Sequence, residues 1–355
     1  MTPELGIIEG FFGRPWSWEA RAQVVRFLAP HGYGFFLYAP KADPFLRRHW
    51  QEPHPEAELA AIARLAAQCR EAGVRFGVGL TPFELHLAPE GDWRGALRAK
   101  LDTLAAIGID DLAILFDDMR GDVEGLAAIQ AEIVDFAASR GIASRLLCCP
   151  SYYSDDPVLD RAFGRRPEGY LETLGRLLDP AVEIMWTGEE VCSREFSPGH
   201  LERVAETIRR RPFLWDNYPV NDGAIMSQHL HLRAFTGRPA AIGPLVAAHG
   251  INTASQPLLS LIPALTLAAS YGEGADYRYG AAFRSAATAV CGEDLARRLE
   301  ADLLSFQDRG LDRISPERRA ELRGIYSAFG HPAAEEVIAW LDGAYSSSGE
   351  DVQTQ

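Results

Sequence analysis

Basic residues are in short supply. Lys and Arg number 35 against 49 Asp and Glu, a formal net charge of -14 at pH 7. That surplus of negative charge repels phosphate backbones and anionic lipid surfaces, so neither nucleic acid nor a membrane is expected as a partner. Long apolar runs are missing as well: nothing approaches the ~20 consecutive apolar residues of a membrane-spanning helix. Met1-Thr2-Pro3-Glu4 carries no basic region and no small-residue cleavage site, so no secretory leader is expected. Cysteines are few and odd in number, five, with Cys148 and Cys149 adjacent. An odd set cannot pair completely, so reduced thiols and a cytoplasmic location are expected. Gly10-Phe11-Phe12-Gly13 is not a dinucleotide fingerprint, and P-loop, HExxH, CxxC and GxSxG patterns are all absent. No cofactor and no metal is expected. His229 and His231, two apart, would face different ways on a helix and read as structural.

What the chain does have is ordinary globular material, 47% hydrophobic and 24% charged over 355 residues. Short, nearly continuous apolar runs alternate with amphipathic stretches. The runs are Leu5–Phe12, Gly34–Pro40, Arg75–Pro82, Asp111–Asp118, Ser144–Pro150, Val182–Gly188, Pro212–Asn217 and Ala240–Ala247. Continuous rather than alternating apolarity is the mark of parallel strands buried on both faces. Between them, Leu59, Ile62 and Ala66, then Leu97, Leu101 and Leu104, then Ile129, Ile133 and Ala137 recur at helical spacing. Gly73, Gly108 and Gly141 stand where such helices should stop. Strand–helix repeats of this number and length predict an α/β fold, a (β/α)8 TIM barrel over residues 1–275. Residues 276–345 read as helical throughout and predict a C-terminal helical subdomain. The polar residues 346–355 are expected to form a flexible tail.

Barrels of this kind carry their chemistry at the C-terminal ends of the strands. Those ends here hold Glu9-Gly10, Lys41, Asp117-Asp118, Tyr152-Tyr153, Thr187, Trp215-Asp216-Asn217, Asp222 and Asn252. Carboxylates and amides suit sugar hydroxyls, and flat aromatic faces suit a sugar ring. Asp117-Asp118 is the sharpest feature. Two adjacent, partly desolvated carboxylates cannot both ionise cheaply, so one is expected to hold a proton beside a charged partner. That pairing suits glycoside cleavage, whereas the bland alternative is an aspartate capping the next helix.

Five motifs in order, Gly6-Ile-Ile-Glu-Gly-Phe-Phe-Gly-Arg-Pro-Trp16, Tyr38-Ala-Pro-Lys41, Phe116-Asp-Asp118, Trp186-Thr-Gly188 and Trp215-Asp-Asn217, resemble glycoside hydrolase family 84. These are the β-N-acetylglucosaminidases that include O-GlcNAcase, once called hyaluronidase-like. The resemblance spans about residues 5–272. It implies a retaining exo-β-N-acetylglucosaminidase acting on a GlcNAc-containing carbohydrate or glycopeptide. It implies catalysis in which the substrate's own acetamide attacks and an oxazoline forms. Under it Asp118 is the general acid/base and Asp117 orients the acetamide. Gly10 (through its carbonyl), Lys41, Asp222 and Asn252 would contact hydroxyls. Asn217 and Tyr153 would stand near the acetamide, and Trp215 would wall the pocket. The alternatives are a hydrolase of hyaluronan, chitin or peptidoglycan fragments, or a barrel that binds GlcNAc without turning it over. Two positions depart from the family. Phe12 stands where the animal enzymes carry tyrosine, and Arg120 stands where they often carry an acid. A guanidinium at 120 would lower the pKa of Asp118 unless it points away.

Overall fold

The computed structural model describes residues 2–87, 91–347 and 352–354. Eight parallel strands close into a barrel in chain order: β1 (Glu4–Glu9), β2 (Tyr33–Tyr38), β3 (Arg75–Leu80), β4 (Asp111–Leu115), β5 (Arg145–Cys149), β6 (Glu183–Trp186), β7 (Phe213–Asp216) and β8 (Ala248–Asn252). β1 closes the ring by pairing with both β2 and β8. Every residue of β4 is buried: residues 112–115 form an apolar run between barrel interior and helical layer, and Asp111 at its start is paired with Arg145.

Seven of the expected strands stand where the apolar runs put them. The eighth does not. Ala240–Leu245 is a short 3-10 helix, and the strand follows at Ala248–Asn252. Pro239, Gly243 and Pro244 break ladder geometry in that apolar stretch. Strand β8 itself carries a fully buried His249, which masks its apolar pattern.

The helices expected from the periodicities form Glu56–Glu71, Trp93–Ile107 and Leu126–Ser139. Asp92 caps the second by accepting from Gly95 N at 2.8 Å, and Gly108 ends it at φ 79°. At the N-terminal mouth of the barrel Arg145 joins Glu4 at 3.0 Å and Asp111 at 2.5 Å, and Arg75 joins Glu4 at 2.9 Å. This ionic plug closes the end of the barrel opposite the chemistry.

Past the 3-10 turn Gly274–Asp276 come helices Tyr279–Cys291, Glu293–Leu303, Pro316–Ser327 and Pro332–Leu341. They dock on the segment that leads out of β7. Gln307 Oε1 accepts from Leu232 N at 2.9 Å and Arg233 N at 2.8 Å, and Leu311 N donates to Gln228 O at 2.7 Å. Glu336 accepts from Leu258 N and Leu259 N, each at 2.9 Å, at the start of helix Pro257–Glu273. His229 and His231 lie outside any helix; their ring nitrogens meet the carbonyls of Gln307 and Val220 at 2.8 Å each. Of the expected tail, residues 348–351 and 355 lie outside the described residues.

Candidate active site

The nine residues singled out in the sequence converge. Gly10, Lys41, Asp117, Asp118, Tyr153, Trp215, Asn217, Asp222 and Asn252 line one pocket at the C-terminal mouth of the barrel. Phe12, Cys149, Thr187, Val191, Cys192 and Val220 complete its wall, and Val352 and Thr354 also border it. A broader surface groove lined by Arg165, Glu168, His200 and Arg203 contains neither member of the carboxylate pair.

The pair sits just beyond β4. Phe116 N still donates to Cys149 O at 2.9 Å, extending the β4–β5 ladder, and the chain then turns at Asp118, whose φ is 55°. A non-glycine residue in the left-handed region costs of order 1 kcal/mol and persists where surrounding structure enforces it. Neither aspartate caps the next helix: helix Leu126–Ser139 begins at Gly125 without a side-chain cap. The capping alternative therefore falls.

The two carboxylates have different surroundings. Asp117 is only 5% exposed. Its Oδ2 accepts from the Lys41 ammonium, itself buried, while its Oδ1 is buried with no hydrogen-bond donor among the described residues. Asp118 is half-buried, and its Oδ1 accepts from the Tyr153 hydroxyl at 2.9 Å. Burial first, and the Asp117 charge second, raise the pKa of Asp118, against the opposing pull of Lys41, Arg47 and the Tyr153 hydrogen bond. Tyr153 holds its own proton firmly, because burial and the nearby Asp118 push its pKa well up.

Arg120 does not spoil this arrangement. Its exposed guanidinium pairs with Asp122, and it is not among the groups that shift Asp118. The side chain is turned to Asp122 and away from Asp118, so the reason to expect a lowering from that position is removed.

A hydrogen-bonded chain forms the opposite wall. Gly10 N donates to Asn252 Oδ1 at 3.2 Å, and Asn252 Nδ2 donates to Asn217 Oδ1 at 2.9 Å. Asn217 Oδ1 also accepts from Trp215 Nε1 at 3.0 Å, and its Nδ2 donates to Val191 O at 2.8 Å. With its oxygen doubly engaged and one N–H used, Asn217 keeps one N–H to offer. Only glycine fits at position 10, since a Cβ there would lie 2.4 Å from the Trp215 ring. Asp222 Oδ2 accepts from Phe12 N at 2.7 Å, and burial pushes this carboxyl up to about 6. Phe12 lines the pocket, and the Lys41 ammonium lies over its ring, 5.9 Å from the ring centre. Among the described residues no group of three His, Cys, Asp or Glu is arranged to hold a metal ion.

The sequence matches the beta-N-acetylglucosaminidase family over residues 5–306. This chain belongs to that family. It is the glycoside hydrolase family 84 that the motifs resemble. This β-N-acetylglucosaminidase family member is 30% identical over 250 residues to Protein O-GlcNAcase of Rattus norvegicus and to that of Mus musculus. The alignment takes in 67% of this chain but 26% of each relative, so the chain spans about a quarter of their length. Among solved structures, a mutant O-GlcNAc hydrolase from Thermobaculum terrenum superposes with a TM-score of 0.78 at 25% identity. That match covers 95% of this chain and 80% of the other.

Sequence reasoning passed over several residues that shape the site. Arg47, which acts on Asp118, sits in Leu-Arg-Arg-His and looks like a solvated basic run, yet it is only 6% exposed. Val191 and Cys192 belong to a loop with no periodic pattern. The Trp186-Thr-Gly188 motif immediately before them was the available signal.

Proposed function

We propose that this chain is a retaining exo-β-N-acetylglucosaminidase that removes terminal β-linked GlcNAc by substrate-assisted catalysis. The observation that carries the reading is the asymmetry of the aspartate pair. Asp117 has one oxygen on Lys41 and a second, buried oxygen without a donor among the described residues. An N–H from a 2-acetamido group would satisfy it, and a buried acceptor left unsatisfied costs roughly 1–3 kcal/mol. Asp118 has a pKa raised above the ordinary carboxylate value, as a proton donor needs.

In the first step the acetamide oxygen attacks the anomeric carbon and the bond to the aglycone oxygen breaks. Asp118 gives its proton to that oxygen. The amide nitrogen becomes electron-poor as the oxazoline ring closes, so the charge on Asp117 is felt more strongly in the transition state than in the ground state. In the second step Asp118, now a carboxylate, takes a proton from water, which opens the oxazoline on the same face the aglycone left. Two inversions give retention. Two carboxylates on consecutive residues share one strand end, rather than flanking a scissile bond from opposite faces as the two-carboxylate scheme requires.

The Gly10 carbonyl, Lys41, Asp222 and Asn252 would hold sugar hydroxyls, the free N–H of Asn217 and the Tyr153 hydroxyl would stand near the acetamide, and Trp215 would bound the ring. A GlcNAc-bearing carbohydrate or glycopeptide is the partner this predicts. Five free cysteines suit a reducing compartment such as the cytoplasm.

The test is a panel of aryl β-glycosides of N-acetylglucosamine, N-acetylgalactosamine and des-acetyl glucosamine, assayed beside hyaluronan, chitin and peptidoglycan fragments. Turnover confined to terminal N-acetylglucosaminides supports the reading. Equal turnover of the des-acetyl substrate would refute it. Binding without turnover of any substrate would leave a sugar-binding barrel instead.

A further inference from the structure

Arg238 is not among the pocket-lining residues, yet its guanidinium ties two walls of the pocket together. All five of its N–H groups are used. Nε and Nη2 donate to the two oxygens of Asp216 at 2.8 and 2.7 Å. Nη2 also donates to Ser193 O at 2.7 Å, and Nη1 donates to Arg194 O and, at 3.0 Å, to Thr236 O. Arg238 is 5% exposed and Asp216 is fully buried.

The two ends of this clamp matter for different reasons. Asp216 is the last residue of β7, between Trp215 and Asn217, both in the pocket. Its second partner is His249, whose Nε2 lies 3.0 Å from Asp216 Oδ2 while its Nδ1 meets the Tyr271 hydroxyl at 2.8 Å. Burial alone would raise the Asp216 carboxyl, but Arg238 and His249 outweigh it and hold it below the usual carboxylate range. The other end, residues 189–194, has neither helix nor strand, so what it is tied to decides where it lies. Besides Arg238, its anchors include Val191 N on Asp156 Oδ2 at 3.2 Å, Val191 O on Asn217 Nδ2 at 2.8 Å, Glu190 O on Thr187 Oγ1 at 3.2 Å, and Glu189 beside His200 at 3.5 Å; among the described residues Arg238 alone holds the carbonyls of Ser193 and Arg194. Val191 and Cys192 from this loop face the pocket beside Asn217.

We infer that Arg238 is a positioning residue that sets the Val191–Cys192 wall against Asn217 and so determines which N-acyl groups the pocket accepts. This rests on the proposed reaction, in which Asn217 stands near the acetamide. Lysine keeps the charge opposite Asp216 but has three donors on one nitrogen and cannot span Asp216 and two carbonyls as the planar fork does.

The test measures kcat and KM for aryl glucosaminides bearing N-acetyl, N-propanoyl and N-butanoyl groups, with the unaltered chain and with R238K. One methylene in a pocket is worth roughly 10–200-fold, and R238K is expected to erode the preference for N-acetyl over N-butanoyl by roughly five- to tenfold, chiefly through KM. A preference unchanged while all three substrates slow alike, or while only Tm falls, would overturn the inference. If R238K does not fold, D216N/R238Q removes both charges together and is read in the same way. Failure of the unaltered chain to hydrolyse the N-acetyl substrate would instead refute the proposed reaction itself.

Discussion

The Tyr153 hydroxyl donates to Asp118 Oδ1 at 2.9 Å, and Asp117 receives nothing equivalent from it. The neighbouring aspartates are thereby given separate surroundings: a tyrosine and partial exposure for one, a buried lysine for the other. The proposed division of labour between proton donor and acetamide holder rests on that difference.

Under the proposed reaction, replacing Asp118 by Asn removes the proton donor. Glycosides with poor leaving groups should slow by roughly 10²–10⁴, the usual worth of a positioned acid, while those with good leaving groups should lose far less in the first step. A leaving-group series measured on D118N checks this. Equal losses across the series would assign Asp118 another task.

Activity should follow a bell in pH. In the proposed roles Asp222 accepts hydrogen bonds from sugar hydroxyls as a carboxylate, and burial pushes it up to about 6, so activity should fall as pH drops through that region. Asp118 acts in its protonated form, so activity should fall again as pH rises through a value above the ordinary carboxylate range. The Tyr153 hydrogen bond favours the Asp118 carboxylate and pulls its pKa down. In Y153F the alkaline limb should therefore move to higher pH, a shift that a kcat/KM profile reads directly.

Most of this site was legible because the strands are mainly apolar and the polar residues at their C-terminal ends stand out. Lys41, Asp117 and Tyr153 each follow such a run, and Trp215 stands near the end of one. The eighth strand was misplaced by eight residues of apolar sequence that Pro239 and Pro244 prevent from pairing, while His249 sits in the true strand because Asp216 and Tyr271 satisfy it. Arg47 and Arg238 were illegible for a related reason. Nothing local distinguishes a buried arginine from a solvated one when its partners lie far along the chain, as Asp216 and the Ser193 carbonyl do for Arg238.

Glu336 makes stability depend on pH. Burial pushes its carboxyl up to about 7 even though it accepts two backbone N–H groups. The fold therefore favours the neutral form, and stability present at acid pH is lost as pH rises through about 7. Each unit of difference is worth about 1.4 kcal/mol, so the loss amounts to about 3 kcal/mol. In E336Q the change in denaturation midpoint between pH 5 and pH 8 should be much smaller. An unchanged pH dependence would place the effect elsewhere.

Val352 and Thr354 border the same pocket as the aspartates. A chain shortened to end at Ser347 should show a KM lower by roughly two- to fivefold with kcat unchanged, because substrate no longer competes with the segment for the pocket mouth. A KM that stays the same or rises would show that these residues do not hinder substrate.

In the proposed reaction the acetamide attacks the anomeric carbon and Asp117 assists it. Aryl glucosaminides bearing acetyl, fluoroacetyl and difluoroacetyl groups, compared in the unaltered chain and in D117N, probe both parts at once. kcat/KM should fall steeply as fluorine drains the carbonyl oxygen, and D117N should cost roughly 10²–10³ even with a good leaving group. Rates insensitive to fluorination, or a D117N variant as fast as the unaltered chain, would contradict the proposed reaction.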